Sequence, residues 1–151
     1  PAIFSVNTNT SYSSSDYNGF RPNAGGDAFR WNSPPPNVPM LPADGSGPTK
    51  LVDRTFPTLA AYAQATKQDQ HSVLVDYDIF MKVTKLDGKD LATVQRLYKA
   101  EDFDFRIKPG SAAVDRGVVI PNVTEGFAGQ GPDLGALEVG KPVPTWGPRP
   151  R

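Results

Sequence analysis

The chain has 151 residues, sixteen basic and sixteen acidic side chains, no cysteine, and prolines and glycines (16 and 14) that together make up about a fifth of it. Balanced charge argues against nucleic acid or an anionic membrane held by bulk electrostatics, both of which need a basic excess. Without cysteine there is no disulfide framework or thiolate nucleophile, and the lone His71 cannot build a zinc site.

In chain order, Pro1-Ala-Ile-Phe-Ser-Val6 is strand-like, lacks the regions of a signal peptide, and reads as the start of a processed or truncated product. Strands are expected at Ile3 to Val6, Tyr12 to Phe20 and Ala28 to Trp31, divided by polar turns. The run from Pro34 to Pro48 reads as an irregular loop, either a tolerated insertion or, given its length, a rim around a site. Thr55 as cap and Pro57 in the first turn predict a helix carrying Leu59, Tyr62, Ala63 and Thr66. Alternation of Val73, Val75, Tyr77, Ile79, Met81 and Val83 predicts one or two strands. Near Asp90 a second helix puts Leu91, Val94, Leu97 and Tyr98 on one face and Lys89, Arg96 and Lys99 on the other. No apolar run approaches the roughly 18 residues that a membrane span needs.

The densest signal is Asp102 to Gly117. Phe103, Phe105 and Ile107 alternate with Asp104, Arg106 and Lys108, as in a strand with one buried face. Pro109-Gly110 turns the chain. Ser111 to Asp115 suits one capped turn leading to Gly117, where a positive φ is cheap. Beyond Val118-Val-Ile-Pro121 lie a Gly-rich link from Asn122 to Gly131 and a last strand, and residues 141–151 read as a Pro-rich extended tail, either pinned by Trp146 or a disordered end.

Asp102-Phe-Asp-Phe-Arg-Ile-Lys-Pro-Gly-Ser-Ala-Ala-Val-Asp-Arg-Gly117 resembles a closing element of secreted pectate-lyase-like proteins, and Pro132-Asp-Leu-Gly-Ala-Leu-Glu138 is similar to the strand that ends such domains. Ser15 to Phe20, Phe29 to Trp31, Thr58 to Tyr62, Gln68 to Ser72, Val75-Asp76 and Phe80 occur in the family's order, so the resemblance spans residues 11–140. Asp76-Tyr-Asp-Ile-Phe80 departs from it, where Asp-Pro often precedes the Phe. The resemblance implies an all-β chain, the C-terminal coils of a right-handed parallel β-helix over residues 1–140, with one or two short lateral helices and long Pro/Gly-rich loops. It also implies secretion, a polysaccharide partner and calcium as a possible cofactor. An open first coil would then need covering over residues 1–6, by missing coils or a second chain.

The chemistry is thinner. Tyr17, Arg21, Arg30 and Trp31 are candidate substrate-binding residues, rings for a pyranose face and guanidinium groups for carboxylates. Arg30 and Trp31, being adjacent on a strand, face opposite sides. Asp76 with Asp78 and Asp102 with Asp104 are paired carboxylates of the kind glycoside hydrolysis uses, although the second pair suits a structural role better. No set of basic residues has the spacing of a lyase base, and His71 reads as a surface or capping residue. Asn9-Thr10-Ser11 and Asn122-Val123-Thr124 are glycosylation sequons. Three functions follow: part of a secreted lyase or glycoside hydrolase with its catalytic residues mostly outside this chain, a noncatalytic glycan- or surface-binding module, or a structural subunit.

Overall fold

The structure is a computed structural model that describes residues 3–8, 12–22, 25, 28–34, 45 and 53–144. The first sequon, most of the Pro-rich loop and the tail around Trp146 lie outside the described residues. Two compact units divide the chain, Pro1–Leu74 and Val75–Arg151.

In the first unit, β1 (Phe4–Asn7) pairs in parallel with β3 (Phe29–Asn32), in the register Phe4 to Phe29 and Val6 to Trp31. The far side of β3 pairs antiparallel with β4 (Thr55–Phe56). The short β2 (Gly19–Phe20) and β5 (Val73–Leu74) form a second, parallel pair. Period-two alternation sends Phe29 and Trp31 inward and Arg30 outward. The core comprises Phe20, Ala28, Phe29, Trp31 and Tyr62, with Phe4, Val6, Phe56 and Leu59 packed against it. Tyr62 comes from α1 (Leu59–Thr66) and stacks on Phe29 at 5.1 Å. Thr58, not Thr55, caps this helix, its hydroxyl accepting from Ala61 N. Thr55 is committed to β4, so the cap falls to the next side chain able to reach an orphan donor.

In the second unit a 3-10 turn, Tyr77–Ile79, leads into β6 (Phe80–Lys82), which pairs antiparallel with β7 (Asp104–Ile107). Asp90 caps the five-residue α2 (Leu91–Gln95) between them, yet Leu91 and Val94 stay exposed. Ile79, Ile107 and Ala113 form the core under Val75, Phe80, Val114, Leu134 and Val139.

These observations correct the expected architecture. The described residues hold sheets of three, two and two strands and two α-helices, a small mixed α/β arrangement with no solenoid. A β-helix needs successive parallel pairs stacked in line. Here parallel pairing stops at β1 with β3 and β2 with β5, while β4 and the β6–β7 pair run antiparallel. The expected strand over residues 12–20 shrinks to two residues because side chains take up its backbone groups. The expected final strand is also missing. Asp133 N donates to Glu138, Val139 N to Asp133 and Leu134 N to Ala113 O, which leaves little backbone for a ladder.

The positive φ expected at Gly117 falls on Asp115, at 56°. Asp115 N donates to Asp133 Oδ1, and Asp115 Oδ1 accepts from Gln130 N and Gly131 N, which holds the left-handed residue in place. Gly117 is small for another reason: its N–H donates to Pro132 O at 2.6 Å, and an added Cβ would lie 2.9 Å from that same oxygen. Gly117→Ala is therefore expected to cost about 1–3 kcal/mol, read as a lowered denaturation midpoint with an unchanged slope. A wild-type midpoint would refute the contact.

Candidate functional site

Two segments about fifty residues apart meet along β2 and β5, held mainly by side chains. Ser15 N donates to Gln68 Oε1, Asp69 N to Ser15 O, Asn18 N to Ser72 Oγ and Val73 N to Asn18 O. Below them Asp69 is 2% exposed. Its Oδ1 accepts from Ser15 Oγ, Asn18 Nδ2 and Ser72 Oγ at 3.1, 2.9 and 2.6 Å, and its Oδ2 from the Tyr62 hydroxyl at 2.9 Å. A buried carboxylate is tolerable on these terms, because every donor around it is charge-assisted. Burial, reinforced by the Asp69 bond and charge, pushes the Tyr62 phenol pKa well up, so the hydroxyl remains a donor.

On the surface above this hub, Asp16 Oδ1 accepts from Tyr17 N (2.9 Å) and His71 N (2.8 Å), and Asp16 Oδ2 faces His71 Nδ1 at 2.7 Å. Tyr17 adopts φ 57°, a left-handed conformation uncommon for an aromatic residue, and its ring stacks on His71 at 4.9 Å and 12°. The imidazole is thus fixed by a carboxylate and a ring while its side chain is 61% exposed. Nδ1 is taken up by Asp16, and among the described residues Nε2 has no hydrogen-bond partner. Strained backbone at Tyr17 and at Asp69 (φ 51°) marks both segments of the site.

Desolvation opposes the Asp16 charge, but the hydrogen bonds from His71 and Tyr17 outweigh it and hold the carboxyl below its ordinary 3.8. A depressed folded value stabilises the protein above the unfolded pKa, and that contribution is lost as pH falls through the lower folded value. Acid titration of unfolding below about pH 4 is expected to show this small loss. Asp16→Asn should flatten that limb of the curve, and an identical limb would count against it.

Of the residues singled out in the sequence, only Tyr17 is placed here. Arg30 Nε and Nη2 donate to Asp53 Oδ1 and Oδ2 at 2.7 and 2.6 Å, and Asn32 Nδ2 joins them. Arg21, directly after β2, is half-buried and has a partner of its own. Trp31 is 3% exposed in the core, so its ring offers no face to a sugar. The surface that gathers instead is Asp16, Tyr17 and His71. His71 is on the surface, as expected, but its pairing with Asp16 was missed because no local pattern links positions 55 apart; the hint was that Asp16-Tyr-Asn and Asp69-Gln-His-Ser72 are both turn-forming polar runs.

The carboxylate pairs serve local structure. Asp76 caps the 3-10 turn through Tyr77 N, so Asp76 and Asp78 lie on a turn instead of alternating on one strand face. Asp102 accepts from Lys99 N, and Asp104 is bound by Arg106, whose hydrogen bonds hold its pKa at about 2. Among the described residues no three His, Asp or Glu side chains gather into a group that could hold a metal ion. No described helix is long and apolar enough to cross a membrane. Compared with protein-family models, with curated proteins and with solved structures, the chain matches none.

Proposed function

We propose that the chain belongs to a secreted protein acting on polysaccharide and that it contributes glycan recognition, through the surface of Asp16, Tyr17 and His71. The observation that carries this reading is the exposed imidazole stacked on Tyr17 with its Nδ1 engaged by Asp16. A ring edge beside a fixed hydrogen-bonding nitrogen suits a pyranose, whose C–H face packs on aromatic carbon while its hydroxyls bond in plane. The resemblance of Asp102 to Gly117 and of Pro132 to Glu138 to pectate-lyase-like proteins supports the same ligand class and the secreted location. Recognition is favoured over turnover because the Asp16 oxygens are taken up by Tyr17 N, His71 N and His71 Nδ1.

Titration with neutral and uronate-containing oligosaccharides, followed by NMR, tests this. His71→Ala and Tyr17→Ala are each expected to weaken binding about tenfold, close to 1.4 kcal/mol, with the fold intact. Failure of the wild-type chain to bind any oligosaccharide would remove the reading. Release of new reducing ends or of an unsaturated product by the chain alone would replace recognition with catalysis.

A second reading, docking of another chain against residues 1–6, is favoured by β1. Among the described residues β1 pairs on one edge only, and Phe4 and Val6 remain half-exposed.

A further inference from the structure

We propose that a cleft in the second unit, beside β6 and β7, is a binding site for a short aliphatic carboxylate. The cleft measures about 220 Å3, and its walls include Met81 from β6, Ile107 from β7, and Leu137, Val139 and Val143 from the closing segment. At the roughly 30 Å3 that a water occupies in the liquid, it has room for about seven heavy atoms. That lies below the range of about 300–1,000 Å3 that houses drug-sized ligands, so the walls cover only a short chain.

Three charged side chains also line the cleft, and two of them are engaged inside the fold. Glu138 Oε1 accepts from Ala128 N and Oε2 from Asp133 N. Arg106 is held by Asp104 through Nε and Nη2. The exposed Lys141 has no ion pair or side-chain hydrogen bond among the described residues. Apolar walls with a single uncommitted cation match an amphiphile bearing one negative charge, with its tail between Met81, Ile107 and Val143 and its head at Lys141. A small inorganic anion would gain nothing from those walls. A ligand with several charges would press some of them, unpaired, against aliphatic carbon.

The test is an NMR titration of the full chain with butyrate, hexanoate and octanoate, with hexanol and inorganic phosphate as controls. Shifts are expected at Met81, Ile107 and Val143. Affinity should tighten about fourfold per added methylene, from the transfer free energy of a CH2 group, and level off once the tail fills the space. Hexanol should bind several-fold more weakly than hexanoate, and phosphate should leave the walls unshifted. Lys141→Glu is expected to weaken hexanoate severalfold while sparing hexanol, and Val143→Asp to weaken both. Both positions are exposed, so a native spectrum for each variant serves as the folding control. Affinity independent of chain length, shifts confined to other residues, or wild-type hexanoate binding by Lys141→Glu would overturn the proposal.

Discussion

Asp69→Ala is expected to destabilise the first unit by about 2–4 kcal/mol, the scale for leaving buried neutral donors without their acceptor. The carboxylate accepts from Tyr62, Ser15, Asn18 and Ser72, and Asn18 keeps only Ser15 Oγ as an acceptor when it is lost. Tyr62 suffers most, since it is fully buried while Ser15, Asn18 and Ser72 are only partly so. Asp69→Asn, which keeps one oxygen acceptor, should cost about half as much. Urea denaturation read through the first unit's aromatic signals measures both. An Asp69→Ala loss under about 1 kcal/mol would mean that water satisfies these donors and that the carboxylate is no hub.

Ile107→Ala carries the second large expectation, about 2–4 kcal/mol, from lost transfer energy and an unfilled cavity. Ile107 is 4% exposed and packs with Ile79 and Ala113. Phe105, two residues earlier on the same strand, is 55% exposed and lies edge-on to Phe80. Phe105→Ala should therefore cost clearly less despite removing a larger side chain. Amide exchange across residues 75–144 in the two variants compares them directly, and equal losses would show that the whole strand face is buried.

That comparison also shows how far the sequence could be read. Alternation put Phe103, Phe105 and Ile107 on one side of β7, and the rings of Phe103 and Phe105 do stack with each other at 5.7 Å. Alternation sets direction and cannot say what covers the face, and here Ile107 is buried and Phe103 half-buried beside Tyr98 while Phe105 between them is exposed. The same distinction governs the fold. Strands near Phe4, Phe29 and Phe80 and helices near Leu59 and Leu91 were legible because their patterns are local. Which strands pair, and with what polarity, depends on partners far away in the chain, so the solenoid expectation failed at β4 and β6–β7. Residues 133–139 have the composition of a strand, yet carboxylates at Asp133 and Glu138 capture the N–H groups that a ladder would use. The site was legible only at Tyr17. Trp31 has the composition of a sugar platform, but β3 lies at the centre of its sheet and turns that ring inward.

The clamp between the two polar segments has a consequence for how the surface comes into being. Ser15 and Asp69 are 54 positions apart, and Asp16 and His71 are 55 apart. Bringing such distant points together costs loop-closure entropy before any bond is returned, and that cost is nearly the same for one bond as for all of them. Formation of the clamp is therefore close to all-or-none, with β2 and β5 too short to hold the segments in register alone. The Tyr17–His71 stack then has no half-assembled form: opening of the Asp69 hub dissolves it as a unit, and a ligand gripping the stack draws the whole closure toward completion by mass action.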